Sequence, residues 1–149
     1  MVFQMPPLTQ GELDEFLVKA PIATLCTQNS DGTIHAAPLF FKYEKGELLF
    51  GTQNDARRIK NIKKNPNVTV LIDDEHPPFK GVVLYGKAQL DYDEVIPKRV
   101  VIFEKYMPKP NAQKLADGLA ALRKPVVIRV KPNKITSYDY AKDQSGLFK

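Results

Sequence analysis

The strongest constraint on how this chain can fold is a pair of tight-turn signals set between alternating apolar runs. Asn29-Ser30-Asp31-Gly32 separates Ile22–Gln28 from Thr33–Tyr43, and Glu44-Lys45-Gly46 separates that run from Glu47–Gly51. Short segments with apolar residues at every second position read as strands, and turns this tight join antiparallel neighbours. Parallel strands need long crossovers, so a doubly wound parallel sheet is excluded and an antiparallel meander of the three runs is expected.

Ahead of the meander, Leu13, Phe16 and Leu17 recur at helical spacing within Leu8–Ala20. Thr9 and Glu12 have the spacing of a capping box, and Pro21 ends the helix. After Gly51 the period changes. Ala56, Ile59 and Ile62 fall on one face of a helix over Asn54–Lys64, stopped by Asn65-Pro66. Val68–Asp73 and Gly81–Leu90 read as further strands around a loop at Asp74–Pro78. Helical patterns over Glu94–Tyr106 and Ala112–Leu122 are split by Pro108 and Pro110, and Val126–Val130 returns to strand. The tail from Tyr138 to Lys149 has little pattern. The expected fold is α+β, a six-stranded antiparallel barrel with peripheral helices. With no repeat, low-complexity tract or long linker, residues 1–149 are expected to form one domain.

The formal net charge of +5 favours anionic partners. The single cysteine, Cys26, excludes an internal disulfide and a zinc or iron–sulfur Cys cluster, in keeping with a reducing compartment. No window is apolar for long enough to span a bilayer, and Met1–Pro7 lacks the basic and apolar regions of a signal peptide. A cytoplasmic protein without a membrane partner is expected.

Chemistry concentrates where the third strand ends. Gly51-Thr52 leads directly into the helix that carries Arg57, Arg58, Lys60, Lys63 and Lys64, five of the 22 basic residues. Free N–H groups at a helix start, a threonine hydroxyl and guanidinium groups together suit a phosphate, and Gly51 lets a ligand approach the backbone. The residues alone slightly favour a solvated basic face, the usual fate of a charge run. Asn61 lies one turn from Arg57 and Arg58 and is a further candidate contact. An imidazole is the usual candidate for proton transfer, but a lone strand histidine such as His35 reads as a hydrogen-bonded or ligand-edge residue rather than a proton carrier. His76 stands among consecutive loop carboxylates that do not converge on one ion, so no metal is expected. The tyrosines read mainly as core, and no catalytic residue is assigned.

The ordered series Ile22-Ala23-Thr24-Leu25, Asp31-Gly32, His35–Phe40, Phe50-Gly51-Thr52, Arg57–Pro66 and Gly81–Ala88 resembles the pyridoxamine phosphate oxidase-like FMN-binding split-barrel family. The resemblance implies a split barrel in which Arg57 and Arg58, helped by Thr52, hold the phosphate of FMN. It also implies that His35, Ala36, Ala37, Pro38 and Leu39 run along the isoalloxazine ring, largely through backbone groups. Pro38 fits such a place, because proline inside a strand marks an edge or irregular position. The implied protein is a flavin-dependent oxidoreductase acting on a small molecule, and a homodimer with flavin at the interface. Relatives on the same fold use FMN, a deazaflavin or heme. Members that oxidise pyridoxamine phosphate carry an arginine and a histidine in a C-terminal segment, whereas this sequence finishes Asp143–Lys149 without them, so the substrate is left unassigned. A nucleic-acid-binding role for the basic helix is disfavoured, because no aromatic residues are interleaved along it for base stacking.

Overall fold

The computed structural model describes residues 5–147, so the reading of Met1–Gln4 as part of an N-terminus without a leader, and the last two residues of the tail, Phe148 and Lys149, lie outside the described residues. Helix α1 (Gln10–Lys19) opens with the capping box: Glu12 N–H donates to Thr9 Oγ1, and Thr9 N–H donates to Glu12 Oε1. It buries Leu13, Phe16 and Leu17. The first hairpin pairs β1 (Ala23–Gln28) with β2 (Ile34–Leu39). Its turn needs Gly32 at a φ of +87°, which side chains disfavour.

The expected strand Thr33–Tyr43 is two strands. After β2 the chain turns at Phe40 into β3 (Phe41–Glu44), which pairs with β4 (Glu47–Gln53), not with β1. The three runs are therefore not a simple meander. The Phe41 N–H donates to Tyr106 Oη at 2.9 Å, and the Phe41 carbonyl accepts from Tyr106 Oη and Lys105 Nζ. These side chains satisfy backbone groups that a continuous ladder would have used.

Helix α2 (Arg57–Lys64) precedes β5 (Asn67–Asp74) and β6 (Lys80–Asp91); α3 (Val95–Phe103) and α4 (Lys109–Leu122) precede β7 (Pro125–Asp139). The sheet thus has seven strands, not six, in the order β2-β1-β5-β6-β7-β4-β3, every pair antiparallel. The last strand is also far longer than the expected Val126–Val130. Its second half pairs with Lys80–Tyr85 beyond an irregularity at Tyr85/Gly86, and its polar residues hide it from an apolar-run reading.

The two edge strands, β2 and β3, are separated by Phe40 alone. The sheet must therefore curl until its edges meet, forming a half-barrel. Inside lie Leu25, Phe41, Phe50, Ile72, Leu84 and Ile128. Helix α2 joins this core through Ile59 and Ile62, each contributing about 1.5–3 kcal/mol by burial. Helix α3 covers the outer face of β4 and β7 through Ile102 against Leu49 and Val127. Among the described residues, no helix is long and apolar enough to cross a membrane.

Candidate functional site

The curl leaves a seam. Strand β2 pairs only with β1, and β4 continues past Phe50 with no strand on its β3 side. Residues 34–39 and 51–53 thus each carry one edge without a ladder. Unpaired N–H and C=O groups on such edges are open to a ligand. The reading of Pro38 as an edge residue agrees with this topology.

At one end of the seam stands the start of α2. Its cap residue is Ala56, which has no side chain to bond the first-turn N–H groups. The preceding connection is anchored by Asn54, whose N–H donates to the Lys124 carbonyl at 2.8 Å and whose Oδ1 accepts from Tyr92 Oη at 2.6 Å. The helix start is thus held in place with donors unsatisfied, the arrangement that attracts an anion.

Thr52 is 2 % exposed and turns its hydroxyl toward α2, where Oγ1 accepts from Arg58 Nη1 at 2.6 Å. Arg58 is half-buried, and burial holds its guanidinium below the ordinary arginine value. Its Nε is enclosed without a hydrogen-bond partner. Arg57 is exposed on the side of the β1–β2 turn and makes a minor contribution to lowering the Asp31 carboxyl, which hydrogen bonds from Thr33 lower chiefly. The two arginines therefore differ: one is built into the seam and the other reaches in from solvent.

His35 lies on the inward face of β2, opposite Thr27, and its Nδ1 is also enclosed without a partner. Asn61 is buried and donates through Nδ2 to Thr27 Oγ1 at 3.0 Å and Asn29 Oδ1 at 2.8 Å. Those bonds make it a pin between α2 and the first hairpin. Ala37 and Leu39 share the inward face with His35, while Ala36 and Pro38 face outward. Gly51 lies on the outer face of β4 under Arg99 of α3, where an added Cβ would fall 2.9 Å from Arg99 Nε. Pattern reading did not single out Arg99, Lys105 or Tyr106. Only Tyr106 carried a signal, as one of several aromatics.

Two enclosed donor-bearing groups without partners, an uncapped helix start and a buried hydroxyl together suit an anion. A separate cleft of about 830 Å³ opens at the other end of β1, between α1 and the β5–β6 connection. It mixes Glu12, Glu15 and Asp74 with Lys19 and Lys80 and has no enclosed polar atom without a partner, so it does not compete for an anion. His76 lies there, its Nδ1 3.2 Å from Asp74. Among the described residues no group of three His, Cys, Asp or Glu side chains could hold a metal ion.

Residues 9–139 match the family described as pyridoxamine 5'-phosphate oxidase. Among curated proteins no match was found. Solved structures share the fold: the conserved hypothetical protein Rv2991 from Mycobacterium tuberculosis has a TM-score of 0.77 at 20% identity, over 89% of this chain and 86% of that one. An F420 reductase has a TM-score of 0.66 at 23% identity, over 82% and 94%. A FAD-binding protein from Mesorhizobium loti has 0.65 at 17%, over 91% and 96%.

Proposed function

This chain belongs to the pyridoxamine 5'-phosphate oxidase family, and from that premise we propose that it is an FMN-binding oxidoreductase of the split-barrel type. The observation that carries the reading is the pairing of Arg58 with Thr52 beside the uncapped start of α2, with Arg58 Nε and His35 Nδ1 enclosed and unpartnered. Thr52, Arg57, Arg58 and the N–H groups of the first turn hold the phosphate, beside the free edge of Gly51. The unpaired edge of β2 from His35 to Leu39, with Ala36, Ala37 and Pro38 between them, borders the ring. Asn61 fixes the distance between α2 and β1. A flavin held there supplies hydride or electron transfer, while the protein supplies binding, orientation and a sheltered wall.

The active unit is proposed to be a cytoplasmic homodimer of one-domain subunits, with flavin at the interface. The outer face of β2, β1, β5 and β6 supports this. It presents Ile34, Ala36 and Pro38 beside Cys26, Leu71 and Val83, and Ile34 is 62 % exposed. An uncovered apolar face of this kind marks an interface. Light scattering tests it: the wild type should have twice the chain mass and Val83→Glu the mass of one chain, whereas a monomeric wild type contradicts the dimer.

The cofactor test is the absorbance spectrum and mass of the chromophore released on denaturing the purified protein. Release of FMN supports the reading. A deazaflavin, which the likeness to an F420 reductase makes the second reading, or heme in its place would overturn FMN as the cofactor.

A further inference from the structure

Arg99 is 4 % exposed, and among the described residues no carboxylate and no hydrogen-bond acceptor meets its guanidinium; Nε is fully enclosed. Its stem and Nε lie across Gly51, with no room for a Cβ between them. Its Cζ is 5.5 Å from the centre of the Phe103 ring. Phe103 meets Phe40 edge-on at 6.3 Å, and Phe40, the residue at which the chain crosses the seam, stacks on Tyr106 at 4.3 Å and remains 42 % exposed. A guanidinium remains charged even where burial lowers its pKa, and a buried charge without a counter-charge is costly. Of the Arg99 nitrogens only Nε is fully enclosed, so the Nη groups are the ones left to meet an anion.

The anion's character follows from what surrounds Arg99. One guanidinium neutralises one negative charge and matches a planar carboxylate through two parallel hydrogen bonds. A phosphate dianion would need further donors; Lys105 Nζ is turned to the carbonyls of Ala20 and Phe41 and to the Phe41 ring, and the single Tyr106 hydroxyl proton is shared between the carbonyls of Pro21 and Phe41. The partly exposed ring of Phe40 favours a flat apolar body. We infer that Arg99 recognises the carboxylate of a planar small-molecule acid held against Phe40 beside the seam. This goes beyond the flavin reading and does not depend on it.

The test uses benzoate as the probe, with benzyl alcohol and phenyl phosphate as comparisons, by calorimetry and thermal unfolding of the purified protein, with and without FMN. Benzoate should bind and raise the melting temperature in a dose-dependent way. Benzyl alcohol should not, and phenyl phosphate should bind at least tenfold more weakly than benzoate. Arg99→Met should weaken benzoate binding at least tenfold and leave FMN affinity unchanged; Arg99→Lys should restore part of the response. The inference is overturned if wild-type protein ignores millimolar benzoate, if phenyl phosphate binds as tightly, or if Arg99→Met binds benzoate like the wild type. Should Arg99→Met fail to fold, the wild-type comparison of benzoate with benzyl alcohol and phenyl phosphate decides the matter alone. FMN binding, measured in the same samples, fails or holds independently of these outcomes.

Discussion

Arg58 donates through Nη1 to the buried hydroxyl of Thr52 at 2.6 Å, which ties the first turn of α2 to the end of β4. The bond orients the guanidinium and leaves its Nε free in an enclosed space. Thr52→Val keeps the shape and removes the acceptor, so FMN affinity should fall by roughly tenfold, the equivalent of about 1.4 kcal/mol. Arg57→Ala should cost less than Arg58→Ala, because Arg57 is exposed and its charge is screened. Fluorescence titration of the variants with FMN checks both orders.

Asn61→Ala removes two buried hydrogen bonds and leaves Thr27 and Asn29 facing a void. It should destabilise the protein by about 1–3 kcal/mol in urea unfolding. If Asn61 were a ligand contact rather than a pin, FMN affinity would fall while the unfolding midpoint stayed put.

Burial pushes the Lys105 ammonium down to about 8 from its ordinary 10.5. The unfolded chain then binds more protons between those values, so this group makes folding more favourable as pH rises through the window, and its cost is fully present below about 8. The stability of wild type relative to Lys105→Met should therefore increase between pH 8 and 10.5. Urea unfolding of both proteins at the two ends of the window measures it; a difference independent of pH would contradict the assigned shift.

Two glycines should respond oppositely. A Cβ on Gly86 would fall 2.8 Å from the Lys131 carbonyl oxygen and 3.3 Å from Pro132 Cα, backbone atoms at the irregularity in the β6–β7 ladder. Gly86→Ala should cost about 1–3 kcal/mol through overpacking. Gly118 lies in α4 with open space around it, so Gly118→Ala should stabilise by about 0.5–1 kcal/mol. Thermal unfolding of the two variants checks the pair.

What could be read from the sequence was local. The capping box of Thr9 and Glu12, the Asp31-Gly32 turn and the α2 period all depend on neighbours in the chain, and all recur in the structure. The break at Phe40 does not, because the apolar run from Ala36 to Phe41 passes through it with no turn residue at that point; the backbone groups at the break are met by Lys105 and Tyr106, far along the chain. The second half of β7 escaped notice because Lys131, Asn133 and Lys134 face solvent and Pro132 interrupts the pattern. At the site, the basic run was visible, but the difference between Arg57 and Arg58 is one of burial. Arg99 carries no local signal, since it becomes unusual only when α3 lays it over Gly51.

The central claim is that the start of α2 and the end of β4 hold the phosphate of a flavin. The most direct test is equilibrium titration of flavin-free protein with FMN and with riboflavin, for the wild type and Arg58→Ala. FMN should bind the wild type at micromolar concentration or below and at least tenfold more tightly than riboflavin, and Arg58→Ala should abolish most of that preference. No binding of FMN, or a preference for FMN that survives Arg58→Ala in a folded protein, would contradict it.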